Sequence, residues 1–263
     1  MRFLTLNCHA WHEENQLEKI KNLARVIKKN AYDVITLQEV SQSKDSEQMF
    51  KDIKKDNYVF LLVEELGKLG VYDYSFFWEY NHISSGKYEE GTAILTKHPV
   101  GKIETSFLSI SEDYSNWKTR KSVKNIIEYK NKEIAIFCCH LGFWDDSEEP
   151  FKQQADRLLE QVKENELTFL MGDFNSDALK RNTGYDYLMS KGLYDTYNMA
   201  KEKDLGITVS GKIAGWEKND EQKRIDLILT NTPVEVKYSR VIFNGENESI
   251  VSDHYGLEVE IEI

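Results

Sequence analysis

The chain is poor in proline and cysteine, with three of each in 263 residues, and it lacks any long apolar run. With so little proline and no stretch rich in glycine and serine, neither an interdomain linker nor a disordered low-complexity tract is expected. No internal repeat is apparent, which argues against a solenoid. The cysteines are Cys8, Cys138 and Cys139. An odd count with two adjacent members is a poor disulfide framework, so reduced, mostly buried thiols in a cytoplasm are the simpler expectation. The longest purely apolar run, Ile134–Cys139, has six residues, whereas a membrane-spanning helix needs about 18 or more. Met1–Asn7 reads as a strand rather than as the basic start and apolar core of an export signal. Positive charge is also in deficit: 34 Lys and Arg stand against 45 Asp and Glu, a formal net charge of −11. Such a balance disfavours nucleic acid and anionic membrane surfaces as partners. The expectation is a cytoplasmic protein with a small substrate, no membrane contact and no protein partner.

What is present is an alternation of strands and helices. Arg2–Asn7 alternates apolar and polar residues as a strand does. From Glu14 to Asn30 the apolar positions Leu17, Ile20, Leu23, Ala24 and Ile27 form one helical stripe. Asp33–Leu37 is a short apolar strand, and Ser46–Lys55 is predicted to be a second helix. Tyr72–Tyr80 alternates as a strand, with Phe76 and Trp78 on one face and Phe77 and Glu79 on the other. Thr92–Thr96 is another strand; Lys124–Tyr129 and Glu133–His140 form a hairpin around Asn131-Lys132. Phe151–Val162 has helical spacing, and strands follow at Leu167–Met171, Ile225–Thr230, Val236–Phe243 and Leu257–Ile261. Strands outnumber helices and both hairpins and crossovers occur, so mixed sheets with helices outside are expected, in a single domain over residues 1–263.

Polar residues gather where these strands end: Asn7, Gln38-Glu39, Glu89-Glu90-Gly91, Arg120, His140, Asp173-Phe174-Asn175, Arg224-Ile225-Asp226 and Ser252-Asp253-His254. A single carboxylate after a strand is more often a turn or a helix cap. The informative feature is the ordered set. Leu4-Thr5-Leu6-Asn7, Leu37-Gln38-Glu39, His140-Leu141, Gly172-Asp173-Phe174-Asn175, Arg224-Ile225-Asp226 and Ser252-Asp253-His254 together resemble the endonuclease/exonuclease/phosphatase superfamily. The resemblance runs from Asn7 to His254. It implies an α/β fold, a four-layer α/β sandwich of two packed mixed β-sheets flanked by helices, with the site at one edge. A finer resemblance, to the bacterial maltose 6′-phosphate phosphatases, rests on three segments. These are Leu4–Trp11, Glu90–Leu95 and Gly211-Lys212-Ile213-Ala214-Gly215-Trp216-Glu217.

The resemblance implies a metal-dependent phosphoric-ester hydrolase working by in-line water attack, without a covalent enzyme intermediate. Mg²⁺, with Mn²⁺ as a substitute, suits oxygen ligands. Glu39 is then the metal carboxylate, with Asn7 and Asp253 completing the protein's share. Asp173 orients and deprotonates the water, and Asn175 donates its amide to a phosphoryl oxygen. Asp226 pairs with His254, fixing its tautomer and favouring imidazolium. His140 is expected to pair with Glu90, or with Glu89 if the register shifts. Arg120 is the expected phosphate contact.

Trp11, Trp144 and Trp216 lie near these motifs and could stack on a sugar ring, although tryptophan also simply fills cores. Aromatics beside an acidic surface favour a phosphorylated sugar, with maltose 6′-phosphate leading. A nuclease or another phosphodiesterase acting on DNA or sphingomyelin is the alternative. Cys8-His9 departs from endonuclease relatives that carry a carboxylate two positions beyond the Asn, which counts against an abasic-site endonuclease. A binding module with a lost site is disfavoured, because every expected chemical group is present.

Overall fold

The computed structural model describes residues 1–213, 215, 216, 218 and 220–263. In chain order it contains β1 (Arg2–Asn7), α1 (Gln16–Asn30), β2 (Val34–Ser43), the short hairpin β3 and β4 (Gln48–Phe50, Ile53–Lys54) and α2 (Tyr58–Lys68). Five strands follow: β5 (Ser75–Ser84), β6 (Tyr88–Thr96), β7 (Val100–Phe107), β8 (Lys121–Tyr129) and β9 (Lys132–His140). Next come α3 (Phe151–Leu159), β10 (Leu167–Asp173), α4 (Gly184–Ser190), β11 (Tyr194–Asp195), α5 (Thr196–Met199) and β12 (Glu202–Lys203). The chain closes with β13 (Val209–Ser210), β14 (Gln222–Lys223), β15 (Asp226–Thr230), β16 (Glu235–Ile242) and β17 (Gly256–Glu262).

Seven strands form one sheet in the order β12-β16-β17-β1-β2-β6-β5, and six form a second in the order β11-β15-β10-β9-β8-β7. Both are mixed: β1 and β2 run parallel within the first, β9 and β10 within the second, and their other neighbours are mostly antiparallel. The alternation of β1 shows how the layers arise. Phe3 points between the sheets, where it meets Phe169 edge-on at 4.8 Å and joins Val34, Ile136, Met171 and Ile228. Leu4 and Leu6 point the other way, onto Ile20, Leu23 and Leu62 of α1 and α2. On the far side, Phe137, Leu170 and Leu227 of the second sheet pack under Phe151 and Leu158 of α3 and Leu188 of α4. The result is helix, sheet, sheet, helix, the expected four-layer sandwich.

Three local expectations need correction. Ser46–Lys55 is not a helix: Gln48 pairs with Lys54 across a hairpin, and Met49 and Phe50 are exposed. The second helix lies just beyond, where the Asn57 side chain accepts from the amides of Val59 and Phe60 and caps a buried stripe of Tyr58, Val59, Leu62 and Leu66. The hairpin between β8 and β9 turns at Lys130-Asn131, both with positive φ, one residue earlier than expected. The helix starting at Phe151 ends at Leu159 rather than Val162. Among the described residues no helix is long and apolar enough to cross a membrane. All three cysteines are buried and unbridged.

Candidate active site

Strand registry brings the distant motifs to one edge. Asn7 ends β1 beside Gln38 of β2, and Asp173 ends β10 between His140 of β9 and Asp226 of β15. Close approach at that point demands glycine. Gly172 has φ +148°, and a Cβ there would stand 1.9 Å from the Cys139 carbonyl oxygen. β2 bulges between Leu37 and Val40, which turns Glu39 out of the ladder with φ +52°. Asn175 likewise holds a left-handed backbone, φ +47°, as Asp173 Oδ1 accepts its amide at 2.8 Å. Non-glycine residues in this conformation are strained and concentrate at functional sites.

Glu39, His140, Asp173 and Asn175 line a cavity of about 380 Å³ together with Arg120 and His254, with Asn7 and Asp226 bonded directly behind the lining. On its floor Asn7 Nδ2 donates to Glu39 Oε1 at 2.9 Å and to Asp173 Oδ2 at 3.1 Å. His254 Nδ1 lies 2.9 Å from Asp226 Oδ2, and its Nε2 lies 3.9 Å from Asp173 Oδ2. His140 Nε2 faces Asp173 Oδ2 at 3.7 Å and Glu39 Oε1 at 3.9 Å. The Asn175 amide is held at both ends: Nδ2 donates to the Leu141 carbonyl at 2.9 Å, and Oδ1 accepts from Trp216 Nε1 at 3.3 Å. Arg120, only 4% exposed, donates from one terminal nitrogen to the carbonyls of Trp117 and Thr119, while its Nε has no protein partner.

Burial drives these groups apart electrostatically. It opposes charge on His254, but Asp226 overrides it and lifts the imidazole to about 10, so this ring is a cation at neutral pH. Burial, and then Arg120, push His140 well below the ordinary histidine range, leaving it neutral. Burial and the charge of Asp226 push Asp173 up to about 6. Burial and the charge of Glu90 push Glu39 up to about 8. Paired groups with opposed titration at one site are the signature of acid–base chemistry.

The Endonuclease/Exonuclease/phosphatase family model matches residues 10–254. The chain belongs to this family. Its members are metal-dependent phosphoesterases and nucleases, and this chain is a hydrolase of that class. A solved endonuclease/exonuclease/phosphatase family protein from Leptotrichia buccalis is 41% identical with a TM-score of 0.94, and both chains are covered in full. The mannosyl-6-phosphatase of Bacteroides thetaiotaomicron shares the fold at 16% identity and TM-score 0.72, again with both chains fully covered. TDP2 from Caenorhabditis elegans shares it at 18% identity and TM-score 0.65, over all of this chain and 75% of that one. A comparison with curated protein sequences returned no match.

The family's divalent metal suits the residues found here. Glu39, His140 and Asp173 place one ligand atom each within 4.8 Å of one another, and so do Asp173, Asp226 and His254. The Asn7 NH₂ stands between Glu39 and Asp173, and the neutral His140 imidazole faces both. Two carboxylates both short of positive charge, with hard oxygen donors, are what a divalent cation satisfies. Asp253 falls in a neighbouring group with His9 and Glu13, its Oδ2 lying 3.5 Å from His9 Nδ1.

Most of the predicted site residues therefore converge, and some do not. Glu90 lines the cavity but pairs with His82, whose Nε2 is 3.2 Å from Glu90 Oε1; it is not the partner of His140. The pair forms because His82 and Glu90 face each other across β5 and β6. Burial works to raise Glu90, but the His82 hydrogen bond and the nearby charges hold it at about 2. Glu89 points elsewhere, to Lys54 at 2.8 Å and Gln42 at 2.8 Å. Trp11 packs against the core under α1 and α2, its Nε1 donating to the Ser41 and Asp56 carbonyls. Trp144 packs on Phe151 and Tyr187, away from the cavity lining. Trp216 borders the site through Asn175 and Phe143. Of its motif, Ala214 and Glu217 lie outside the described residues. Sequence reading did not assign His9, His12, His82, Trp117 or Phe143 to the site, and all five are in the lining; Trp117 is visible in the sequence as a tryptophan just ahead of Arg120. The available signal was histidine usage: five of the chain's six histidines face this one cavity.

Proposed function

We propose that the protein is a Mg²⁺-dependent phosphatase that hydrolyses a phosphorylated sugar in the cytoplasm, with maltose 6′-phosphate the leading candidate. The observation that carries this reading is the cation count of the cavity. Among its lining residues Arg120 is the one side chain with a permanent positive charge, accompanied by the His254 imidazolium. That complement suits one phosphoryl group. A nucleic acid needs a lysine and arginine track along successive phosphates, and the chain's net charge of −11 works against it.

In this mechanism Glu39 and Asn7 would hold the metal, Asn7 by its amide oxygen, with Asp173, Asp253 and His140 beside them. When bound, the ion would polarise the phosphoryl oxygens and stabilise their developing charge. His254 Nε2 and Arg120 Nε donate to the phosphoryl oxygens, and the free amide hydrogen of Asn175 Nδ2 adds a third donor. Asp173 Oδ2 accepts a proton from the attacking water as its oxygen bonds to phosphorus. The P–O ester bond breaks on the opposite side, and the departing sugar oxygen takes one proton from solvent. One water is consumed, and one phosphate and one sugar hydroxyl are released.

The test is phosphate release from maltose 6′-phosphate, trehalose 6-phosphate, glucose 6-phosphate and inositol phosphates, with phosphocholine release from sphingomyelin and plasmid nicking in parallel. Each substrate is run with Mg²⁺, Mn²⁺ and EDTA. Release from a sugar phosphate with Mg²⁺, abolished by EDTA and reduced about 10³-fold in H254A, supports the reading. Nicked plasmid with inert sugar phosphates overturns it in favour of a phosphodiesterase.

A further inference from the structure

The polar groups of the cavity fall into two sets. Those on the floor are locked to one another, as the bonds among Asn7, Glu39, Asp173, Asn175, Asp226 and His254 show. At the rim stand His12, Ser84, Ser85 and Trp117, which line the same cavity. The Ser84 and Ser85 hydroxyls and the His12 ring nitrogens form no hydrogen bond with any other described residue. Trp117 is 53% exposed. A lone surface tryptophan is ordinary, but this one sits on a rigid frame. Its carbonyl accepts from the buried Arg120 at 2.8 Å, and the amide of the next residue, Lys118, is bonded to Asn116 Oδ1 at 3.0 Å. The Lys118 ammonium is occupied by Asp146 at 2.8 Å and Glu148 at 2.7 Å. The rim thus offers uncharged donors and acceptors and one large apolar face, and among the described lining residues no lysine, and no arginine but Arg120, stands ready for a second anionic group.

We infer that His12, Ser84, Ser85 and Trp117 form an outer subsite for a neutral sugar ring joined to the phosphorylated one. This inference rests on the sugar phosphatase reading and adds which residues would recognise the second ring. The indole takes the apolar C–H face of the outer ring, and the serine hydroxyls and the His12 imidazole exchange hydrogen bonds with its hydroxyls. The shared backbone anchor at Arg120 couples the subsite to the phosphate end, so a substrate filling both is held in register.

The test compares maltose 6′-phosphate with glucose 6-phosphate on the full chain. For the wild type kcat/KM favours the disaccharide phosphate, and in W117A that preference falls about ten-fold, through KM. W117F, which keeps an aromatic face, restores part of it. If W117A fails to fold, the S84A/S85A double variant provides the readout, its preference falling about three-fold. Equal wild-type kcat/KM for the two sugars, or an unchanged preference in the folded variants, overturns the subsite and leaves the phosphatase reading standing. Absence of turnover on both sugar phosphates overturns both.

Discussion

The floor and the rim of the cavity are built on opposite rules. On the floor nearly every polar atom is buried and bonded to another: Asn7 spans two carboxylates, Asp226 holds His254, and Trp216 and Leu141 hold Asn175. At the rim the Ser84 and Ser85 hydroxyls and the His12 ring nitrogens make no hydrogen bond among the described residues, His12 stacking on His9, and the indole of Trp117 stands half in solvent. Buried charge is expensive unless it is paired, so chemistry that needs charge must fix its groups in advance. Recognition of a neutral ligand needs the reverse, groups whose bonds are left for the ligand to make. The two floor exceptions point the same way: Arg120 Nε and Asp226 Oδ1 are buried without hydrogen-bond partners among the described residues, and in the proposed mechanism Arg120 Nε is the donor left for the phosphoryl group.

Breaking the floor has the largest expected effect. In D226N the geometry stays but the anion is gone. Burial of His254 is then opposed only by the charges of Asp173 and Asp253, so its proton affinity falls from the level of about 10 that Asp226 sustains. The imidazolium is less favoured and its tautomer is no longer imposed. Turnover is expected to fall about 10³-fold, and ¹⁵N chemical shifts of the His254 ring would report the fall in proton affinity. Turnover within three-fold of wild type, with the ring shown neutral, would mean that His254 works uncharged.

The same division explains what could be read from the sequence. The floor was legible because each position admits few residue types: a carboxylate or amide at Glu39, Asp173, Asn7 and Asn175, and a histidine with its acid at His254 and Asp226. These stand at strand ends in a fixed order. Mixed sheets with helices outside were legible too, from the alternation of β1 and the stripe of α1, while the four-layer arrangement came from the family resemblance. The rim was not. Ser84 and Ser85 look like any hairpin turn, and Trp117, though it stands just ahead of Arg120, has no more claim on the site than the other tryptophans until the fold brings them to one cavity. The Glu90 partner was missed for a related reason: cross-strand pairing of β5 with β6 includes an irregularity between Tyr80 and His82, and register with a bulge is not written in the alternation. The Ser46–Lys55 segment misled because its helix-favouring residues are overridden by a hairpin that buries Ile53.

Trp216 lies on the boundary between the two sets and tests whether it belongs to the floor. Its Nε1 donates to Asn175 Oδ1 at 3.3 Å, which fixes the amide so that Nδ2 keeps its bond to Leu141. W216F keeps the edge contact with Phe143 but removes the donor. A positioning role predicts a fall in kcat of about three- to ten-fold with KM unchanged. A rise in KM with kcat intact would instead place the indole against the sugar and enlarge the rim.

Trp11 gives the smallest effect on turnover and the sharpest contrast. It stands four residues from Asn7, yet it faces the core and donates to the carbonyls of Ser41 and Asp56, both at 3.1 Å. W11F keeps most of the packing and leaves those two buried acceptors without their donor. Stability is expected to fall by about 1 kcal/mol, read by denaturant unfolding, while kcat and KM for the sugar phosphate stay at wild-type values. Trp11 and Trp117 are equally conspicuous in sequence beside the motifs, and they are separated only by which side of a strand end each one meets. A change in KM for W11F would show that the core beneath β1 and β2 transmits strain to Asn7 and Glu39. The floor would then depend on its packing as well as on its hydrogen bonds.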